Sequence, residues 1–282
     1  MDPRPPRTRP ITATERSGVV APGNLERYAA RWITPAPGLE AVVDQYWSVR
    51  WALPAGERIS QRILTLPAIT LSIEAGDVPA RLVVTGVHRG AWRRDIQGAG
   101  HVFALRLRPA GLAVVSDLAP GDVADATLPV SRELDARLHD LLDAVAEQPD
   151  DASRARVADT RLAALLRSRP VRRGGLLANA AIDELTASVH PRTGPALAAR
   201  LGCSERTLQR ALHDTLGEGP KWVARWVRLQ EATRLLSRQP APPLAEVAHA
   251  LGYADQAHLT NDFRDAVDLT PGAYLTSLRR LG

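Results

Sequence analysis

The sequence predicts an α+β protein with a β-rich N-terminal domain, a small barrel or sandwich, followed by a helical connector and an all-α C-terminal domain. In the first half of the chain, short runs of β-branched and aromatic residues alternate with turn-forming residues. Beyond Pro120 apolar residues recur with the period of an α-helix, and the last third contains an internal repeat. From these patterns we expect a disordered tail at 1–22, a β-rich domain at 23–125, the connector at 126–170 and the C-terminal domain at 171–282.

The composition is that of a soluble globular protein. Apolar residues make up 45% and charged residues 24% of the 282-residue chain. No run of about 18 apolar residues occurs, and the N-terminus lacks the apolar core of a signal peptide, so we expect a cytoplasmic protein without a membrane span. Net charge is +5, and every cation but Lys221 is arginine. Arginine suits the binding of polyanions, although a charge of this size is also typical of a simple solubility margin.

The N-terminal elements follow from turn spacing. Five prolines among arginines in the first 22 residues predict a mobile tail. Gly98-Ala99-Gly100 is predicted to lie in a hairpin turn. The spacing of the short runs predicts strands near 45–51, 63–66, 69–73, 81–85 and 102–107.

Two amphipathic helices are predicted after Pro120. The first has Ser131 as its expected N-cap, and the second follows Asp151. Pro170 with Gly174-Gly175 predicts a linker before the C-terminal domain. The apolar positions that define the two helices are Leu134, Leu138, Leu141, Leu142 and Val145, then Val157, Leu162, Leu165 and Leu166.

The internal repeat carries the functional prediction. Residues 197–202 resemble residues 247–252 at an offset of 50, and both segments end in glycine. At an offset of 51, Leu208 matches Leu259, Leu212 matches Phe263 and Pro220 matches Pro271. A short helix, a glycine turn and a second amphipathic helix form a helix-turn-helix unit, whose second helix lies in the DNA major groove.

The outer faces of the two second helices are polar. Arginine can pair with guanine, and glutamine or asparagine with adenine, so these faces suit base reading. The side chains are Glu205, Arg206, Thr207, Gln209, Arg210 and His213 in the first unit, and Asp255, Gln256, His258, Asn261 and Arg264 in the second.

A helix of about 17 residues is predicted between the units. It begins at Pro220, and the proline-rich segment 239–243 ends it. Such a helix spans about 25 Å. With the flanking units, the two recognition helices would sit about one duplex turn apart, ~34 Å, so one chain could read two adjacent grooves.

These residues resemble the DNA-binding domain of AraC-type transcriptional regulators. Residues 228–236 resemble the family's linker helix, and Leu251-Gly252-Tyr253, His258-Leu259, Phe263-Arg264 and 270–274 resemble its C-terminal signature. The resemblance covers about 176–278 and implies a bacterial regulator that binds promoters, with RNA polymerase as a partner. Together with the polar faces, it gives the expected DNA-binding set of Arg206, Thr207, Gln209, Arg210, His213, Gln256, Ala257, His258, Asn261 and Arg264.

The chain also departs from the family pattern. Asn261 stands where an arginine is usual, and 216–220 is an altered form of the usual turn. Because the second unit carries Asp255, Asp262, Asp265 and Asp268, we expect it to hold phosphate less strongly than the first.

The N-terminal domain resembles, less specifically, the β-rich domain of one subgroup of these regulators. Tyr46-Trp47, Leu66-Pro67, Thr85-Gly86 and 106–112 carry this resemblance. It implies ligand sensing or homodimerisation, but nothing identifies the effector. The aromatic cluster Tyr46, Trp47, Trp51 and Trp92 could line an effector pocket, although such residues more often belong to the core.

The sequence gives little indication of catalysis or metal binding. The seven histidines show no metal-binding spacing, and no nucleophile-elbow, Walker or dinucleotide motif occurs, so we expect no metal, cofactor or enzymatic activity. Cys203, the only cysteine, falls in the turn of the first unit. A small buried residue is a simpler interpretation there than a reactive thiol. Two alternatives remain: an enzyme or ligand-binding barrel tethered by the helical module, and a helical module that binds a protein partner.

Overall fold

The computed structural model describes residues 7–11, 20, 24, 27–187, 193–238 and 240–279. Within these residues the N-terminal part is built from β-strands and the C-terminal part from helices. The strands are β1 (Thr8–Pro10), β2 (Tyr28–Ile33), β3 (Val43–Ala52), β4 (Arg58–Ile63), β5 (Thr70–Gly76), β6 (Leu82–Thr85), β7 (Trp92–Gln97), β8 (Ala99–Leu107) and β9 (Thr127–Pro129). The helices are α1 (Leu112–Val115), α2 (Ala136–Ala146), α3 (Asp151–Ser168), α4 (Arg173–Thr186), α5 (Gly194–Arg200), α6 (Glu205–Leu216), α7 (Pro220–Leu236), α8 (Leu244–Ala250), α9 (Gln256–Val267) and α10 (Pro271–Arg279).

The strands form two antiparallel sheets, as the α+β prediction requires. The larger sheet has the order β1-β2-β3-β8-β5-β6-β9, and β4 pairs with β7 in the smaller one. Gly98 and Gly100 lie where the chain passes from the smaller sheet to the larger one, so the predicted hairpin is wrong. Gly98 has a φ of +53°, and a Cβ on Gly100 would come within 2.2 Å of the Trp51 ring.

In the described part of the first 22 residues, where the sequence predicts a mobile tail, two short pieces contact the β-rich region. Strand β1 pairs with β2 through Thr8, Arg9 and Pro10, although its side chains are exposed. Val20 is buried, and its N–H donates to the Arg62 carbonyl at 2.8 Å. Backbone hydrogen bonds need no apolar side chains, so composition carries no signal for this strand pairing. The rest of the predicted tail, residues 1–6, 12–19 and 21–22, lies outside the described residues.

The connector forms the two predicted helices, α2 and α3, which pack on the larger sheet. Their N-caps differ from the predicted ones: Asp135 accepts from the Leu138 N–H, and Asp150 accepts from the Ser153 N–H. Asp159 of α3 accepts from the Tyr46 hydroxyl at 2.8 Å and from the Ala36 N–H at 3.0 Å. Burial raises the pKa of Asp159.

The predicted linker is instead part of a docked helix. Gly174 and Gly175 lie in the first turn of α4. Asn179 of α4 accepts from the Ala110 N–H at 3.0 Å and donates to the Ala41 carbonyl at 2.9 Å. A Cβ on Gly175 would meet that of Ala110 at 2.9 Å, so glycine permits the close approach. The chain turns from the connector into α4 without leaving the surface of the β-rich region.

The buried apolar residues form two main clusters. The first runs from the larger sheet through α2 and α3 to α4, α5, α6 and the start of α7. The second joins the rest of α7 to α8, α9 and α10, and it also includes Val20 and Leu64 from the N-terminal region. Both halves of the C-terminal region therefore share apolar contacts with the N-terminal region.

Candidate nucleic-acid interface

The first repeat unit is a helix-turn-helix made of α5 and α6. Gly202 in the turn has a φ of +63°, which glycine adopts at little cost. The Cys203 N–H donates to the Ala198 carbonyl at 3.0 Å and closes the turn. Ser204 caps α6 by accepting from the Thr207 N–H at 3.1 Å. Cys203 itself is half-buried in this turn.

The second unit, α8 and α9, repeats the first bond by bond. Gly252 has a φ of +70°, and the Tyr253 N–H donates to the Ala248 carbonyl at 3.0 Å. Asp255 caps α9 by accepting from the His258 N–H at 2.7 Å. The matched apolar side chains are fully buried in both units: Leu208 and Leu212, then Leu259 and Phe263. The sequence repeat is thus a repeat of structure, and Asp255 has a capping role.

Helix α7 joins the units as predicted. Its first residue is Pro220, and its buried face includes Val223, Trp226, Leu229 and Leu236. Gly217 ends α6 with a φ of +77°, so the altered turn at 216–220 still provides the left-handed residue that a helix end favours.

The predicted reading residues are largely exposed. Arg206, Gln209, Arg210 and His213 are exposed on α6, whereas Thr207 is half-buried and bonds to the Ser204 hydroxyl at 2.8 Å. In the described part of the chain, Arg206, Gln209 and Arg210 make no side-chain hydrogen bond or ion pair. They are therefore available to a ligand.

The second recognition helix exposes the matching face. Gln256, Ala257, His258, Asn261 and Arg264 are all exposed. The His258 ring packs edge-on against Tyr253 at 5.1 Å between ring centroids. Asn261, which replaces the usual arginine, accepts from Arg264 Nη2 at 2.9 Å. The guanidinium one turn later thus lies beside this position.

Comparisons with known proteins agree with this geometry. A family profile described as "Helix-turn-helix domain" matches residues 197–277, and one described as "Domain of unknown function (DUF6597)" matches residues 31–129. The chain is 37% identical over 95 residues to the HTH-type transcriptional regulator GlxA of Rhizobium meliloti, a match that covers 34% of this chain and 28% of the relative. It is 34% identical over 86 residues to a putative AraC-like transcription regulator of Streptomyces antibioticus, covering 30% and 28%. Residues 197–277 thus match a helix-turn-helix domain, and the C-terminal region is similar to AraC-like transcription regulators.

The chain spans only 28% of the length of each of these relatives, and both matches are shorter than 100 residues. Among solved structures, ToxT from Vibrio cholerae superposes with a TM-score of 0.43 at 8% identity, covering 83% of this chain and 99% of that one.

Most acidic residues of the second helix-turn-helix unit have partners within the protein. Asp262 accepts from Arg225 Nε at 2.5 Å and from the Tyr253 hydroxyl at 2.7 Å. Asp268 pairs with Arg93, and Asp255 is the cap of α9. Asp265 is exposed and forms no ion pair with the residues that the structure describes. Three of the four carboxylates thus have partners within the protein, and the expectation that this unit holds phosphate less strongly than the first stays a prediction.

Sequence reasoning missed a network that holds the second recognition helix on α7. The Arg228 guanidinium lies over the Tyr253 ring at 5.0 Å, and the Tyr253 hydroxyl donates to Asp262. Burial and Asp262 raise the pKa of Tyr253. Arg225 and Arg228 lie three residues apart on one helix face, which is the signal that could have identified them as a pair.

The four aromatic residues predicted for an effector pocket do not lie together. Because successive strand residues point to opposite faces, Tyr46 packs toward α3 while Trp47 and Trp51 face the smaller sheet. Trp92 donates to the Thr127 hydroxyl at 3.1 Å, near the β9 edge. An open cavity of about 440 Å³ lies at residues 73–81 and is also bordered by Ala146 and Arg154. None of the four aromatic residues lines it.

No group of three or more His, Cys, Asp or Glu side chains is arranged to hold a metal ion in the described part of the chain. Among the helices described, none has the length and apolar character needed to cross a bilayer.

Proposed function

We propose that this chain is a sequence-specific DNA-binding regulator of transcription that reads two successive major grooves with α6 and α9. One observation carries the proposal: two units with the same turn hydrogen bonds expose polar faces at equivalent positions, and a single 17-residue helix joins them. A helix of this length spans about 25 Å, which suits recognition helices one duplex turn apart, ~34 Å.

The exposed side chains divide by chemistry. Arg206, Gln209 and Arg210 of the first helix have the donors and acceptors that read guanine and adenine edges. In the second helix, Gln256, His258 and Asn261 supply the reading groups. We assign Thr207, His213 and Arg264 to phosphate contacts, which fix register without carrying sequence information.

The resemblance to AraC-type regulators adds partners to the proposal. These are RNA polymerase, a second copy of the chain, and a small-molecule effector bound by the β-rich domain. The aromatic pocket for the effector stays a prediction, since Trp47 and Trp51 pack in a hydrophobic cluster with Ile59 and Ile96 of the smaller sheet. We propose a cytoplasmic protein without catalytic activity of its own, as the similarity to transcription regulators implies.

The test is selection of duplex DNA from a random library with the full chain, followed by binding at increasing salt. We expect a bipartite site with half-sites about 10 bp apart and a steep loss of affinity with salt. Replacing Arg206 or Gln209 by alanine should cost roughly 1 to 3 kcal/mol of discrimination at one base pair. Arg161→Ala is the matched control, since Arg161 is an exposed arginine on α3, remote in sequence from both units. Failure to enrich any motif at low salt would refute the proposal.

A further inference from the structure

A short segment between β6 and β7 is held firmly by the N-terminal region. The Gly86 N–H donates to the Ala126 carbonyl at 3.0 Å, and the Arg89 N–H donates to Asp125 Oδ1 at 2.7 Å. A Cβ on Gly86 would fall 1.8 Å from the Val123 carbonyl oxygen, so the backbone lies directly against this turn. Residues 86–89 are therefore held against the turn at 123–126.

The same segment contacts the turn that follows α6 and the C-terminal end of α9. Arg89 Nε donates to Glu218 Oε1 at 2.5 Å, just after the end of α6. Two residues later the Ala91 N–H donates to the Ala266 carbonyl of α9 at 2.7 Å. Arg93, at the start of β7, pairs with Asp268, the residue that ends α9.

A neighbouring strand adds a further bond to the same helix end. Arg62 of β4 lies opposite Arg93 and donates from Nη1 to the Val267 carbonyl at 3.1 Å. The last four carbonyls of an α-helix have no partner within the helix. Two of the four in α9, those of Ala266 and Val267, are satisfied by the N-terminal region. Cations also interact favourably with the negative end of a helix dipole.

These contacts leave the proposed reading faces open. They reach α9 at 266–268 and the first unit at Glu218. The reading residues lie earlier on each helix, at 206–213 and 256–264, and remain exposed apart from Thr207. The segment thus holds the helix ends and does not cover the groove-facing side chains.

We infer that residues 86–93 together with Arg62, here named the brace, fix the second recognition helix relative to the first and so set the half-site spacing that the protein accepts. The inference rests on the proposed function. In this arrangement Arg62, Arg89 and Arg93 are positioning residues that touch no base. Their effect reaches DNA through the placement of α9.

The test measures affinity of the full chain for duplexes whose half-sites are separated by the selected spacing, or by one or two base pairs more or fewer. Wild-type protein should show one sharp optimum. In the double variant Arg62→Ala with Arg93→Ala, affinity at the optimum should fall about tenfold, because a loosened link lowers the effective concentration of the second unit. Affinity at the off-optimum spacings should change far less, so the profile flattens.

Two comparisons separate positioning from general damage. Arg58→Ala removes the same charge from the same strand, but its partners, Gln97 and Asp95, are both in β7, so the spacing profile should not change. Arg62→Lys retains a cationic donor and should restore part of the optimum. Should Arg62→Ala fail to fold, Arg93→Ala alone, which breaks one exposed ion pair, gives the same test.

The outcomes distinguish the two proposals. If wild-type protein selects no bipartite site, the proposed function fails whatever the brace does. If wild-type protein selects such a site and the brace variants keep its sharp spacing optimum, the brace inference is overturned while the function stands. A gain of affinity at the optimum in the variants would also overturn it, because the brace would then hold the helices out of register.

Discussion

Asp262 and Asp265 lie three residues apart on the second recognition helix. We expect opposite effects on DNA affinity when each is changed to asparagine. Asp262 has a side chain only 13% exposed, and it accepts from Arg225 Nε at 2.5 Å and from the Tyr253 hydroxyl at 2.7 Å. Asp265 is exposed and forms no ion pair with the described residues. The two residues carry the same charge, but only Asp262 has hydrogen-bond partners that hold it within the protein.

The magnitude follows from the two hydrogen bonds. A hydrogen bond to a charged group contributes about 1.5 to 3 kcal/mol when it is shielded from water. In Asp262→Asn the amide oxygen can still face Arg225, but the charge is lost and the hydroxyl of Tyr253 must rotate to accept. Because the Arg225 side chain is 29% exposed, solvent screens part of the effect. We expect the free energy of unfolding to fall by about 1 to 2 kcal/mol.

DNA binding should separate the variants more clearly. Asp262→Asn loosens α9 on α7 and should weaken binding to the bipartite site, although it removes a negative charge. Asp265→Asn should leave stability within about 0.5 kcal/mol of wild type. It should also bind DNA a few-fold more tightly at low salt, because one repulsive charge near phosphate is gone.

The assay combines urea denaturation of the full chain with anisotropy of a labelled duplex across a salt series. Equal stability and equally tightened DNA binding in both variants would refute the reasoning. Asp262 would then act as an ordinary surface charge, and the bonds to Arg225 and Tyr253 would not hold the helix.

Three further predictions test the elements that position the units. Ser204→Ala removes the cap of α6 and should lower the free energy of unfolding by about 1 kcal/mol, measured by urea denaturation. Leu64→Ala should lower the free energy of unfolding by about 2 to 5 kcal/mol, because this side chain is 1% exposed and lies in the core of the second unit. Leu66→Ala, at a 38% exposed position, should lower it little in the same assay. Since burial raises the pKa of Asp159 above 3.8, the folded state holds its proton more tightly, and stability falls as pH rises from 3.8 through the folded-state pKa. Asp159→Asn retains an acceptor for Tyr46 and should be at least as stable as wild type at neutral pH, with that pH dependence lost in denaturation curves.

The repeat was readable from sequence because its determinants are local. A turn glycine and two apolar positions on the next helix fix each unit within about 20 residues, and the structure confirms these in both copies. The cap of the second copy, Asp255, was instead assigned to the outer polar face. The helix from Pro220 was equally clear, since proline marks its start and its apolar period continues for 17 residues. The predicted aromatic cluster conflicts with strand alternation. Tyr46 and Trp47 are adjacent on one strand, so alternation alone places them on opposite faces.

Contacts between distant segments escaped prediction for a different reason. The bonds from Ala91 N–H to Ala266 and from Trp226 Nε1 to the Thr65 carbonyl, at 2.7 and 2.6 Å, end on backbone carbonyls that every residue carries. No pattern of side-chain types marks such an acceptor. The strands β1 and β9, three residues each, likewise depend on backbone pairing and carry no alternating signal of their own.

The two units therefore differ in how they are held, although their sequences match. The first shares a continuous apolar core with the connector and the larger sheet through α4. The second has its own core, into which the N-terminal region inserts Leu64 and Val20, and its recognition helix is tied at the C-terminal end by polar contacts that water can replace. Packed apolar contacts resist small displacements, whereas a few partly exposed hydrogen bonds and ion pairs release at low cost. A change in the N-terminal region should consequently move the second recognition helix before the first. Discrimination between base pairs should then fall first in the half-site that we propose for α9.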